Sequence, residues 1–312
     1  MKFIKYFIDI QERQTCTDTY KYMSYTEEDK VVNIHPQIPP FFCKLILNNG
    51  EVVEIEGSGE LTQNQISSYS NSAIGIELGE LCTSVQNHAC FNWTSLRELT
   101  ISKKCKKIGD VAFFGTSLIN VALPDNNITI GIGAFQNCTA LTTVSIPDSI
   151  TNIGDSAFYM CTSLPIINNI RYADTFAIEA VDKTLTTYTI KEGTKFIGYN
   201  AFSGCESLTN ITIPDSVLYI GAGAFTECTS LTSINIPDKV THIGQEAFCY
   251  CTSLSSITIP DSVTSIDEWV FNECTSLPII NDIRYADTAA VEAVDKSLST
   301  YTIKEGTRFI CS

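Results

Sequence analysis

Apolar and small residues along this chain fall on a comb with one fixed step. Ile-Pro or Leu-Pro closes at Pro124, Pro147, Pro214, Pro237 and Pro260, in steps of 23, 67, 23 and 23. A phenylalanine after a small or apolar residue recurs at Phe113, Phe135, Phe158, Phe202, Phe225, Phe248 and Phe271. Cysteine keeps the same step at Cys138, Cys161, Cys205, Cys228, Cys251 and Cys274, and a degenerate copy has Ala89-Cys90 and Trp93. Three residue types on one period mark an array of repeats.

One unit, Cys228 to Tyr250, reads CTSLTSINIPDKVTHIGQEAFCY. Leu231, Ile234 and Ile236 are spaced L-x-x-I-x-I, and the last two share one face of a short strand. Pro237 ends that strand because it has no amide for the ladder. Asp238 suits the turn that follows. Val240 and Ile243 open a second short strand, Gly244 permits a bend, and Gln245 to Phe248 reads as a single helical turn carrying Phe248 inward. So small a unit cannot bury its own apolar face, and stacking on its neighbours removes that exposure. The spacing predicts about eight coils with short parallel strands.

Two units are longer. Residues 161–197 and 274–310 are equal in length, begin at Cys161 and Cys274, and match at 31 of 37 positions. Their inserted parts read as strand, turn and strand, a hairpin projecting from or widening a coil. Arg171 with Tyr172 and Arg284 with Tyr285 recur at equivalent places. They are either binding residues repeated along a rod, or a Tyr covering its hairpin and an Arg paired with a nearby carboxylate.

The comb divides the chain into residues 1–80, a non-repeat capping region, and 81–312, the solenoid. Within the first, FFCKLILNNGEVVEIE (Phe41 to Glu56) places Asn49-Gly50 between alternating apolar residues, a hairpin signal, and residues 1–40 could be an attachment segment. Met1 to Ile10 is broken by Lys5 and Asp9, so no signal peptide is expected, and no stretch approaches the roughly 18 apolar residues of a membrane span. At the other end Phe309-Ile310-Cys311-Ser312 stops where Phe196-Ile197-Gly198-Tyr199 continues. The last coil is therefore expected to fray or to be covered by a partner or second copy.

These units resemble the BspA-like class of leucine-rich repeats. The resemblance covers about residues 81–312 and is most specific at Ile259 to Ile266, IPDSVTSI. It implies a leucine-rich-repeat solenoid: a β-rich, right-handed superhelix of short parallel strands and single helical turns, here with an N-terminal β-hairpin cap. It also implies a surface or secreted setting, a protein or glycan partner, and no catalytic motif. The bare start and a reduced state of the cysteines instead suit cytosolic synthesis or a phage-encoded protein.

Composition narrows the chemistry. Apolar residues make up 44%, enough for a folded core, and the net charge of -15 disfavours nucleic acid and anionic membranes as partners. Thirteen cysteines would suggest a disulfide framework. However, thiols repeated once per coil have parallel Cβ vectors, a poor geometry for bridging, and are expected to be reduced and packed. His35, His88 and His242 have no metal-ligand spacing, Cys249-Tyr250-Cys251 is an isolated C-x-C, and no nucleophile elbow, P-loop or dinucleotide fingerprint occurs. No catalytic residue, cofactor or metal is therefore assigned. Asp125, Asp148, Asp215, Asp238 and Asp261 fit turns, with a calcium ladder as the alternative. The sequons at Asn92, Asn127, Asn137 and Asn210 fit a Thr- and Asn-rich repeat.

Outward strand positions are small and polar: Asn120, Thr143, Asn210, Ser233 and Ser256, then Ala122, Ser145, Thr212, Asn235 and Thr258. Binding hot spots favour Trp, Tyr and Arg. The irregular positions Arg97, Tyr219, His242 and Trp269, together with Tyr172 and Tyr285, are therefore the candidate partner-binding residues. The reading is a non-enzymatic recognition module, adhesin-like or for phage host contact. The alternative is a structural protein that self-associates through its C-terminal coil.

Overall fold

The computed structural model describes residues 21–25, 32–36 and 40–311. Most of the suggested attachment segment, residues 1–40, lies outside them. Lys21–Tyr25 and Val32–Pro36 pair antiparallel within a first unit, Met1–Phe41, and the solenoid belongs to a second, Phe42–Ser312.

Each regular coil has three sides. The first is a short strand such as Ser233–Asn235, parallel to Ser256–Thr258, with Ile234 buried and both flanking residues exposed. The second is a two-residue strand: Phe196–Ile197, Tyr219–Ile220, His242–Ile243 and Ser265–Ile266 run parallel in register. Leu231, Ile236, Val240 and Ile243 turn inward from these two sides. All ten of the small polar strand positions named from the sequence are exposed.

The third side differs from the single helical turn expected. Gly244–Ala247 and Phe248–Cys251 are two successive β-turns, each closed by an amide bonding three residues back. Glu246 and Tyr250, at their third positions, are left-handed, with φ of 56° and 58°. That conformation points alternate amides along the solenoid axis. Glu246 N donates to Glu268 O at 3.1 Å, Phe248 N to Val270 O at 2.9 Å and Tyr250 N to Asn272 O at 2.9 Å. A helical turn would spend these amides within itself and leave this side of the stack unpaired. Coils stack so closely that a Cβ on Gly244 would lie 2.6 Å from the amide nitrogen of Ala222.

The recurring phenylalanines form columns. Phe113, Phe135 and Phe158 stack with centroids 5.5 and 5.6 Å apart, and Phe202, Phe225, Phe248 and Phe271 with centroids 5.3, 5.2 and 5.7 Å apart. Beside them runs the cysteine ladder. Cys228 Sγ donates to Phe202 O at 3.3 Å, Cys251 Sγ to Phe225 O at 3.1 Å and Cys274 Sγ to Phe248 O at 3.0 Å. Each thiol thus fills a small apolar site and also satisfies a carbonyl one coil back, which neither Ala nor Val could do. The twelve described cysteines are all free.

The long units are not projecting hairpins. Ile170–Ala173 and Phe176–Ala180 pair antiparallel, and Phe176–Ala180 continues into the parallel sheet through Phe196–Ile197. Both faces of this hairpin are buried. Phe176, Ile178 and Phe196 join the core built by residues 42–164, whereas Ile170, Tyr172, Ala177, Ala180 and Ile197 join a second core that runs to Ala289. The hairpin is a partition between two cores. Across it the ring column breaks, with Phe158 meeting Phe176 edge-on at 72°. The second long unit repeats the arrangement: Ala286 and Ala289 face the second core, and Ile283, Tyr285 and Ala290 start a third.

Duplicated contacts lock each partition to the coil before it. Asp174 Oδ2 accepts from Ile146 N at 2.7 Å, and Asp287 Oδ2 from Ile259 N at 2.9 Å. Lys195 pairs with Asp148 at 2.8 Å and Arg308 with Asp261 at 3.3 Å. Two of the post-proline aspartates considered for a calcium ladder thus hold a basic side chain.

At the N-terminal side Cys43–Leu47 and Val52–Ile55 form the hairpin expected at Asn49-Gly50, with Gly50 at φ 86°. Cys43–Leu47 also pairs with Ala73–Leu78, which is parallel to Glu98–Ile101 of the first full coil. The hairpin therefore covers the sheet edge there. With partitions and lead-in counted, the solenoid makes about 11 turns, more than the eight of the comb alone. No helix among the described residues is long and apolar enough to cross a membrane.

Two outcomes follow for the stack. Burial pushes the Cys43 and Cys274 thiols up to about 12 and Cys311 to about 11. Burial likewise raises the ladder thiols Cys205, Cys228 and Cys251, so these and Cys274 should resist alkylation in the native protein at mildly alkaline pH and react fully once it is unfolded. A mass spectrum showing several disulfides would overturn this. Glu227, exposed with φ 61°, carries left-handed strain that glycine would relieve, so Glu227→Gly should stabilise by up to about 1 kcal/mol, read from a urea midpoint.

Candidate functional site

The six candidate residues separate into three environments. Arg97 is exposed on the first sheet, its Nη1 donating to Ser95 O at 3.2 Å.

Tyr172 and Tyr285 require a correction: each is 1% exposed and cannot meet a partner. Their hydroxyls accept from Lys191 N at 3.0 Å and Lys304 N at 2.8 Å, with the lysine ammonium over each ring at 4.9 and 5.6 Å. The accompanying arginines are equally internal in role. Arg171 Nε pairs with Glu179 at 2.8 Å and Arg284 Nε with Glu292 at 2.9 Å. Their Nη1 groups donate to the carbonyls of Leu164 and Leu277 at 2.9 and 3.0 Å. These side chains hold the partition together, because the turn that leads into a two-faced hairpin has carbonyl groups that a side chain must reach.

Tyr219 and His242 do come together. They sit in register on adjacent strands of the second sheet, with rings stacked 4.8 Å apart and 2° from parallel. His242 Nε2 lies 3.1 Å from Asp267 Oδ2. Asp267 occupies the position that is Gly221 and Gly244 in the two preceding coils, so a carboxylate appears where the regular unit has no side chain.

A fourth group arrives from the other core. Asp155 lies on the last regular coil before the first partition, yet its electrostatic neighbours are the amide of Ala222, His242 and Asp267. Burial raises its carboxyl above the usual range. The Ala222 amide and His242 oppose that rise, and the Asp267 charge adds to it. Burial likewise raises the Tyr219 hydroxyl, helped by the charges of Asp155 and Asp267. Tyr219 also packs against the first core. Nearby, Tyr159 meets Tyr199 edge-on at 6.4 Å. A groove of about 330 Å³ opens beside Ala222, lined among others by Tyr199, Asn200, Gln245 and Glu246.

Asp155, Tyr219, His242 and Asp267 thus form a half-buried polar cluster at the seam between the two cores. Ring edges, a hydroxyl and carboxylates can orient a cationic or hydroxyl-bearing group. No nucleophile is paired with a base here, and among the described residues no three His, Cys, Asp or Glu side chains are placed to hold a metal ion. Of the residues brought together here, the repeat pattern singles out Tyr219 and His242 but not Asp267, whose signal is a broken glycine position. Asp155 had no signal, since its partners, Tyr219 to Asp267, lie far along the chain beyond the first long unit. Trp269 is 48% exposed and stands apart, beside the second partition.

The family model described as BspA type Leucine rich repeat region matches in six copies, over residues 83–192 and 180–287. Among solved structures the chain is similar to a leucine rich cell surface protein from Faecalibacterium prausnitzii A2-165. The two are 22% identical over 86% of this chain and 94% of that one, with a TM-score of 0.33. A leucine-rich repeat protein from Eubacterium ventriosum ATCC 27560 is 20% identical over 86% and 90%, with a TM-score of 0.40. The T. pallidum Leucine Rich Repeat protein is 26% identical over 66% and 84%, with a TM-score of 0.31. No curated protein matches the chain.

The raised Asp155 carboxyl has a defined sign in stability. Its proton is held more tightly in the folded than in the unfolded state, so ionising it opposes folding as pH rises through the carboxylate range. Asp155→Asn should match the wild type at acid pH and unfold at a higher temperature at neutral pH. A variant that is less stable at neutral pH would show instead that the carboxylate is needed there.

Proposed function

The chain belongs to the BspA-type leucine-rich repeat family, and from that premise we propose a non-enzymatic recognition module that binds a protein or glycan partner at the seam between its cores. The observation that carries this reading is the convergence of Tyr219, His242 and Asp267, all departures from the repeat, with Asp155 from the preceding core. The regular strands expose Ser, Thr, Asn and Ala, which provide few anchors for tight binding. A polar, half-buried seam with aromatic edges provides both desolvation and direction.

The net charge of -15 favours a neutral or basic partner over a polyanion. An adhesin-like surface role or contact between a phage and its host fits this chemistry, and Arg97 and Trp269 would then lie outside the principal contact. Glycan arrays and immobilised cell-surface proteins, probed with wild type and with Tyr219→Ala/His242→Ala, test the proposal. The double variant should bind its best ligand at least about tenfold more weakly, with an unchanged circular dichroism spectrum. Equal binding by both proteins, or no binding to any surface component, would sink it.

A further inference from the structure

Three consecutive coils after the first partition differ on their turn side. Tyr199, Ala222 and Gln245 occupy one row, and Asn200, Gly223 and Glu246 the next, each one repeat apart. The middle coil thus sets Ala and Gly between larger residues on both neighbours. A third row completes the gap. In coils before the partition it bears Phe91 and Phe114, stacked 4.8 Å apart, and Tyr159, whereas here it bears Ser203 and Thr226. The result is a slot of about 330 Å³, within the range of small-ligand pockets, about 300–1,000 Å³.

The stack sets the shape of the slot. Gly223 is buried in its floor, where a Cβ would lie 2.1 Å from Asn200 Oδ1. The core phenylalanines of these coils are 5.3 and 5.2 Å apart. The walls therefore stand two coil spacings apart, roughly 10 Å, which leaves space for one ring above the middle coil. One wall is aromatic: Tyr199 is half-buried and meets Tyr159 edge-on at 87°. The other is polar. Gln245 Nε2 donates to Glu246 Oε1 at 3.3 Å, and among the described residues Glu246 Oε2 and Gln245 Oε1 have no protein partner. Thr226 Oγ1 donates to Glu246 O at 2.7 Å and fixes the backbone of that wall. Ala222, whose amide meets Asp155 of the seam, lines the same slot.

We infer that the slot receives a single neutral pyranose ring of a glycan, an assignment that rests on the recognition function proposed above and names its ligand. A pyranose has an apolar C–H face for an aromatic wall. On its rim are neighbouring hydroxyls that a carboxylate and an amide oxygen can accept as a pair. Glu246 in the wall and Asp155 beside the floor repel a sugar acid. An apolar protein side chain would use the aromatic wall but leave the paired oxygens opposite it desolvated and unmet.

Saturation-transfer NMR with the methyl glycosides of glucose, galactose, mannose and N-acetylglucosamine, at millimolar concentration, tests this, with N-acetylneuraminic acid as the acidic counterpart. Transfer to the ring protons of at least one neutral glycoside is expected, and none to the acid. Ala222→Tyr, which installs the residue that the preceding coil carries in that row, fills the slot and should abolish transfer with an unchanged melting temperature. Glu246→Gln should weaken binding at least about tenfold. Transfer that persists in Ala222→Tyr, unchanged affinity in Glu246→Gln, or preference for the acid overturns the inference. So does absence of transfer to every neutral glycoside. If a surface protein is then still bound, and Tyr219→Ala/His242→Ala abolishes that binding, the recognition function stands without the sugar; no binding of either kind removes both.

Discussion

Backbone hydrogen bonding from one coil to the next is the constraint on which this structure depends. A single repeat unit has too little interior to fold alone, so its amides must find partners in its neighbours. Two sides of the coil achieve this with parallel strands. The third does so with paired β-turns whose left-handed residues aim alternate amides along the axis. Once three ladders set the stacking distance, the interior follows. Phenylalanine rings stack at the coil spacing, cysteine thiols reach a carbonyl one coil back, and glycine recurs where no Cβ has room.

The same constraint explains why interruptions are so elaborate. A hairpin inserted into the stack must present one face to the coils before it and another to those after it. The partition meets this with alternation: Phe176 and Ile178 face one way, Ala177 and Ala180 the other. Its half-buried Arg171 and buried Tyr172 cover the backbone groups that the break leaves without a ladder partner. The result is two cores coupled through a sheet. Solenoid stability is a sum of repeat and nearest-neighbour terms, so the partition is where that coupling is set by specific side chains and not by the repeat.

Irregularity and candidate function coincide for a physical reason. Repeat positions are held by their counterparts one coil away, which leaves little freedom for a side chain of different size or charge. At a partition that restraint relaxes. Asp267 replaces glycine in the coil before the second partition, and Asp155, in the coil before the first, is brought beside the strands of another core. The polar seam draws on both of these coils.

The sequence by itself determined the repeat, the positions of the buried Leu, Ile, Phe and Cys, the N-terminal hairpin at Asn49-Gly50, the small polar sheet surface and the irregular Tyr219 and His242, one repeat apart. All of these are set within one coil or between adjacent coils, and periodicity records them directly. Only the tertiary structure decided that Gln245 to Phe248 forms stacked turns, because an apolar spacing does not say whether amides bond within the segment or across it. It alone showed that the long units are two-faced and that Tyr172 and Tyr285 are interior. It alone brought Asp155 to His242, since that meeting depends on the path the chain takes through the partition, and a local pattern carries no trace of that path.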